Sequence, residues 1–273
     1  MWSLFWLIPL GFIIGAYGTL IGAGGGFVLM PILLLLYPGQ EREALTSISL
    51  AVVFLNAGSG SWAYARFRRI DYQSGLLFSL AAVPGAVLGA LATGLLPHRL
   101  FDAIFGAVLL AVSLAMLSGD LKPRRQAAKA HQGKHYRSRK LVEVNGATHV
   151  YSYNPRLGIT LSFFVGFVSS LLGIGGGIIH VPALVYLLDF PVHIATATSH
   201  FMLAIMALAG TAVHIATGTL SQGLPRIIAL GFGVVLGAQL GAKLSDRVKA
   251  GWIIRGLAVT LALVSLRILW LAL

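Results

Sequence analysis

The chain of 273 residues contains no cysteine. Disulfides, thiolate nucleophiles and Cys-ligated metals are therefore excluded. Charge is also scarce: only 10% of residues are Asp, Glu, Lys or Arg, against about 25% in soluble domains. Acids are the scarcer sign, eight against twenty Lys and Arg, and all eight (Glu41, Glu43, Asp71, Asp102, Asp120, Glu143, Asp189, Asp246) fall in loops or at the ends of apolar runs. Cation carriers, metal channels and carboxylate proton relays need acids in the membrane path. Those classes are disfavoured, and no metal or other cofactor is expected. The opening "MWSLFWLIPLGF" lacks a basic start and a small-residue cleavage site, so it reads as a retained helix.

Apolar residues are what the chain has in abundance, 57% of the total. They gather in runs at 2–21, 44–64, 73–97, 100–118, 157–172, 194–217, 224–242 and 250–273. Runs of this length cross a hydrocarbon core of ~30 Å as helices. The expected class is an all-α polytopic membrane protein in a lipid bilayer. The net charge of +12 raises nucleic acid as a partner, but +7 of it lies within 119–156. Charge so confined is a topology signal, and no nucleic-acid partner is expected.

Glycine clusters twice inside apolar sequence, in "LIGAGGGFVLMP" (20–31) and "LLGIGGGIIHVP" (171–182). The two align at an offset of 151, with seven identities in seventeen positions from Gly15/Gly166 to Pro31/Pro182. Beyond them an offset of 152 pairs Thr46-Ser47 with Thr198-Ser199, Gly58 with Gly210, and "GAVLGA" (85–90) with "GAQLGA" (237–242). The chain is thus an internal repeat, 1–118 and 156–273, joined by a basic loop at 119–155. Within that loop, alternation about Asn145-Gly146 allows a small β-hairpin over 141–153, built on a type I′ turn; a mobile linker is the alternative.

Each half reads as a long helix, a glycine break, a short apolar piece (Phe27–Tyr37 or Ile178–Leu188) and three full spans. Eleven residues reach only about 16 Å, half a bilayer. A hairpin that enters and returns leaves an odd number of crossings per half, so the repeats are expected to be inverted. Charge agrees. Loops 65–72, 119–156 and 243–249, with the turn near Asp189, hold fifteen Lys/Arg, while the other face holds Arg42, Arg99 and Arg226. The first set is then cytoplasmic and both termini lie outside. Trp2, Trp6, Trp62, Tyr64, Tyr72, Trp252 and Trp270 fall near predicted interfaces.

Unwound backbone at membrane depth must line a cavity or be buried in protein. Broken helices in inverted repeats commonly present half-helix N-termini to a substrate near the midplane. The N–H groups of Gly24, Gly25, Gly26 and Phe27, and of Gly175, Gly176, Gly177 and Ile178, are therefore candidate contacts for a small anion. Close helix packing is the alternative for these clusters. For 85–90 and 237–242 packing is the preferred reading. Thr46, Ser47, Thr198 and Ser199 can cap helices or bind the ligand. Asn56, Ser59, Ser61, Thr211 and Gln239 read as interhelical hydrogen-bonding groups. His180, His200 and His214, opposite Leu29, Ile48 and Trp62 in the other half, can couple a proton or an anion, or simply pack. Arg255 and Arg267 can snorkel, and are given no role.

The doubled "GxGGGxxxxP" pattern ("GAGGGFVLMP", 22–31; "GIGGGIIHVP", 173–182), each copy followed by Thr-Ser, resembles the TauE/SafE sulfite exporter family. The resemblance covers all but 119–156, and that loop looks longer and more basic than the usual one. It implies a bacterial inner-membrane permease for small sulfur anions such as sulfite, thiosulfate or organosulfonates. The expected activity is secondary transport, with export favoured, and not enzymatic. A non-transporting subunit docking a partner through its basic loop is one alternative. An intramembrane enzyme is another, for which only Ser199-His200 gives a hint.

Overall fold

Where the apolar runs lack clustered glycine the chain is helical, and at each glycine cluster the helix stops. The computed structural model describes residues 4–117, 136–245, and 256, 258, 259, 262, 263 and 265–270. In order come α1 (Leu7–Ile21), α2 (Gly26–Leu36), α3 (Arg42–Arg66), α4 (Tyr72–Thr93), α5 (His98–Leu117), β1 (Arg137–Val142), β2 (Thr148–Tyr153), α6 (Pro155–Leu172), α7 (Gly177–Pro182), α8 (Val192–Ala216) and α9 (Leu224–Leu244). The described residues between 256 and 270 are also helical. Among the described residues, five helices (α3, α4, α6, α8 and α9) are long and apolar enough to cross a membrane. Trp2, Asp120, Asp246, Trp252 and Arg255, with most of the basic loop, lie outside the described residues.

Both breaks have the same backbone. Gly22, Gly24 and Gly25 take φ of 83, 74 and 77°, and Gly173, Gly175 and Gly176 take 68, 80 and 85°. Three left-handed residues in four positions are tolerable only for glycine. The turn is held by Ala23 N–H donating to Gly18 O (2.9 Å) and, in the second copy, by Ile174 N–H donating to Ser169 O (3.0 Å). The second short helix passes at Pro182 into a π-helical stretch, Ala183–Leu187, so the apolar helix is continuous over Gly177–Leu187. Proline lacks the amide hydrogen and crowds the preceding turn, which is where a helix widens.

The two halves interlock. α1 packs along α9 and α6 along α4; α3 crosses α8 and also meets α9, as α8 meets α4. Exchanging the halves leaves this pattern of neighbours unchanged. Glycine permits the tightest crossings: a Cβ on Gly85 or Gly237 would lie 2.1 Å from Phe163 O or Phe12 O. The "GAVLGA" and "GAQLGA" segments are thus close-packing surfaces.

The equivalence of α3 and α8 differs from that expected. These helices start at Arg42 and Val192, an offset of 150, because the loop before α8 is one residue shorter than that before α3. Thr46 therefore corresponds to Thr196 and Ser49 to Ser199, not Thr46-Ser47 to Thr198-Ser199. Gly210 corresponds to Gly60 rather than Gly58, and His200 and His214 to Leu50 and Tyr64. The offset of 152 returns in α4 and α9.

Strands β1 and β2 pair antiparallel, Arg137 opposite Tyr153 and Val142 opposite Thr148. Among the described residues only Arg68 and Asp189 are non-glycines at positive φ, so Asn145 is not left-handed and the turn is not type I′. Gly146 N–H instead donates to Glu143 O (3.0 Å) and Gly146 takes φ 83°, a type I turn closed by a left-handed glycine. One face of the hairpin docks on the helices: Tyr151 and Tyr153 are buried against Phe190, Leu184 and Val185.

Candidate functional site

The two breaks touch. A Cβ on Gly26 would lie 2.6 Å from Ile174 O, and one on Gly177 would lie 2.5 Å from Gly22 O. The two short helices therefore begin side by side. Among the described residues no backbone carbonyl accepts from the N–H groups of Gly25, Gly26 and Phe27, or of Gly176, Gly177 and Ile178. These are the positive ends of two helix dipoles, brought together in protein interior. The side chains of Phe27 and Ile178 point elsewhere, into the main apolar core.

The four expected hydroxyls separate into different roles. Ser199 Oγ donates to Gly22 O (3.1 Å), and its true counterpart Ser49 donates to Gly173 O (2.5 Å). Each serine thus satisfies the last carbonyl before the opposite half's break. Ser47 Oγ donates to Ala44 O of its own helix (2.8 Å), while Thr198 Oγ1 accepts from Asp71 N–H (3.0 Å). Thr46 is different: it lies against Gly173, fully buried, and its hydroxyl has no partner among the described residues. Thr196 sits equivalently against Gly22 but donates to Val192 O (2.8 Å). Ser49 and Thr196 do not stand out in the sequence, because the two Thr-Ser pairs align at an offset of 152 while the helices start at an offset of 150. Aligning the two helix starts would have found them.

The histidines do not form one site. His200 joins a buried polar group beside the first break, with its Nε2 3.1 Å from Thr19 Oγ1, which also lies 3.1 Å from Asn56 Oδ1. Thr19 has one proton; if Asn56 accepts it, His200 Nε2 carries the ring hydrogen and Nδ1 is left bare. Tyr64 donates to Thr19 O (2.8 Å), so this tyrosine, expected at the interface, is buried. Its hydroxyl finds an acceptor inside the bundle, which removes the reason for a place in the headgroups. His214 is fourteen residues further along α8, about 21 Å away. Its Nδ1 contacts Thr219 Oγ1 (3.1 Å). His180 is buried on α7, neither ring nitrogen having a partner among the described residues. No group of metal-binding side chains exists among the described residues.

Of the other polar residues, Gln239 donates to Ser59 O (2.8 Å), and Ser59 donates to Val235 O (2.8 Å), bonds between helices. Ser61 and Thr211 hydroxyls have no partner among the described residues. Trp6, Trp62, Tyr72 and Trp270 are exposed. Arg267 is exposed as well.

Both ends of the bundle are tied by ion pairs. At one end Arg42 clasps Asp102 through two contacts of 2.9 and 3.2 Å. At the hairpin end, Asp71 is the hub. It caps α4 through Ser74 N–H (3.2 Å) and accepts from Arg139 (2.8 and 3.1 Å) and from the Tyr151 hydroxyl (2.8 Å). Burial alone would raise the Asp71 pKa, but the bonds from Arg139, Ser74 and Tyr151 hold it below the ordinary value. Glu143, between Arg69 (2.7 Å) and His149 (2.8 Å), is also lowered: burial opposes ionisation and these two partners outweigh it.

The probable membrane transporter YunE of Bacillus subtilis is 32% identical over 97% of this chain and 96% of its own length. Probable membrane transporters of Methanocaldococcus jannaschii and Xylella fastidiosa (Temecula1) are 24% and 25% identical, over 89% and 91% of this chain and 86% and 87% of their own. No solved structure matches the chain. These relatives are named as transporters, not enzymes. The family model for the sulfite exporter TauE/SafE matches residues 7–268. The chain, a multi-pass helical membrane protein, belongs to the sulfite exporter TauE/SafE family.

Proposed function

We propose that this protein is a secondary transporter, working as an exporter, for small sulfur-containing anions such as sulfite, thiosulfate or organosulfonates in a bacterial inner membrane. The carrying observation is the contact between the two breaks, which sets two groups of unbonded N–H donors side by side. Converging dipole ends favour negative charge, and the N–H groups of Gly25–Phe27 and Gly175–Ile178 are positioned to hold it, whereas the Gly24 N–H, also expected there, is taken up by Gly18 O (3.2 Å). Thr46 supplies the one unpaired hydroxyl among the four expected to contact the ligand. Ser47, Thr198 and Ser199 support the helices around it, and His200, beside the first break, is the histidine best placed to couple.

The halves act as inverted repeats that rock about this site. The exchangeable packing of α1 on α9 and α6 on α4 supports that reading, as does the bias of Lys and Arg to one face. With the potential negative inside, each negative charge that leaves gains about 2.3 kcal/mol per 100 mV. Export of a bare anion then requires no coupled cation.

The test is flux in proteoliposomes of purified full-length protein with sulfite, thiosulfate, sulfoacetate, taurine and sulfate. At least one sulfur anion is expected to cross. Thr46→Val, nearly isosteric, is expected to raise its half-saturating concentration roughly tenfold, the worth of one hydrogen bond to a charged ligand. If none of these anions crosses, the reading is wrong.

A further inference from the structure

On one side the space beside the breaks is filled with hydrocarbon. α3 and α8 cross at a small apolar cluster of its own, Val53, Phe54 and Ala57 against Leu203, Ala204 and Ala207. These are the same three positions at the offset of 150. Val53 and Leu203 are completely buried. A Cβ on Gly24 would lie 2.2 Å from Leu203 Cδ2 and 3.3 Å from Val53 Cγ1; one on Gly26 would lie 2.6 Å from Val53 Cγ2. In the other half, a Cβ on Gly175 would lie 2.5 Å from Val53 Cγ1, and one on Gly177 would lie 2.8 Å from Leu203 Cδ1. Each of these side chains therefore covers both breaks.

We propose that Val53 and Leu203 are a paired apolar plug over the anion site, and that their size sets the size of anion that passes. The proposal rests on the transporter reading above. A ligand reaching the N–H groups of Gly26 or Gly177 has to displace the side chain lying on that glycine. While both are in place the site is dry, and a hydrophobic constriction of this kind blocks ions by excluding their water. The plug residues come from a helix pair that is its own counterpart under exchange of the halves. A movement of α3 against α8 therefore shifts both together. The alanines at 57, 204 and 207 leave little side chain to obstruct that movement.

Full-length protein in proteoliposomes is given sulfite and, as a bulky probe, benzenesulfonate. Val53→Ala and Leu203→Ala are compared with wild type and with Val52→Ala. Val52 is equally buried but belongs to the main core. The benzenesulfonate-to-sulfite rate ratio is expected to rise about tenfold in each plug variant, the discrimination that a methylene or so of pocket controls. It is expected to stay at the wild-type value in Val52→Ala. Should an alanine variant not fold, Leu203→Val removes a single methylene and is expected to move the ratio in the same direction by less. An unchanged ratio in folded plug variants, with sulfite still carried, overturns the plug and leaves the transporter standing. Wild type that carries neither anion, nor any other sulfur anion, overturns both.

Discussion

At the scale of single residues, the two serines that close the breaks illustrate how a two-residue shift of register decides chemistry. Ser49 and Ser199 each donate to the carbonyl that ends the opposite half's first helix. Those carbonyls, of Gly173 and Gly22, are buried in a lipid-facing bundle where water cannot replace the bond. Ser49→Ala and Ser199→Ala are each expected to cost roughly 1–3 kcal/mol, the desolvation penalty of a stranded acceptor. Thermal midpoints of the purified variants check this, and Ser47→Ala, which breaks a bond only to its own helix, should cost less. The glycines at the breaks were legible because consecutive positive φ values admit no other residue. The serines were not, because Thr-Ser occurs twice in the chain and aligns by composition at an offset that α3 and α8 do not use.

At the scale of elements, Asp71 is the main carboxylate holding the hairpin to the helices, beside the Arg69–Glu143 pair. Asp71 serves α4 as its cap, Arg139 and Tyr151 as their partner, and through its N–H reaches Thr198 on α8. Asp71→Asn would leave Arg139 without its charge and strand hydrogen-bond donors. A destabilisation of about 3 kcal/mol is expected, read as earlier proteolysis between Arg137 and Tyr153. The sign with pH follows from the depressed pKa. The docking energy is present above the ordinary value of 3.8 and is lost as pH falls below it through the folded value. Protease protection of the hairpin should therefore hold at about pH 5 and decline towards about pH 3, whereas in Asp71→Asn it should be low throughout. An Asn-Gly pair between alternating residues announces a hairpin. That Tyr151 and Tyr153 would fill the space beside the second short helix could not be read, since it depends on which helices lie beneath.

For the whole molecule, the absence of cysteine makes sidedness testable. Single cysteines at Thr148, on the hairpin, and at Ser221, between α8 and α9, are both at exposed positions. The excess of Lys and Arg in the loops at 65–72, 119–156 and 243–249 predicts, by the positive-inside rule, that the hairpin is cytoplasmic. A membrane-impermeant maleimide is expected to label Ser221→Cys in intact cells and Thr148→Cys only in inverted vesicles. The reverse pattern would turn the transporter over and with it the direction argued from the membrane potential.

Composition and pattern by themselves determined that the chain is helical, lies in a membrane, repeats once and breaks its first helix in each half with glycine. Those properties follow from local rules: apolar length against bilayer thickness, and left-handed φ that only glycine tolerates. Tertiary structure alone decided that the breaks touch, that Ser49 rather than Ser47 serves one of them, and that Val53 and Leu203 fill the space between. These are contacts across about 120 to 180 residues of chain. They depend on how α3 crosses α8, and a loop shorter by one residue rotates every side chain beyond it by about 100° around the helix.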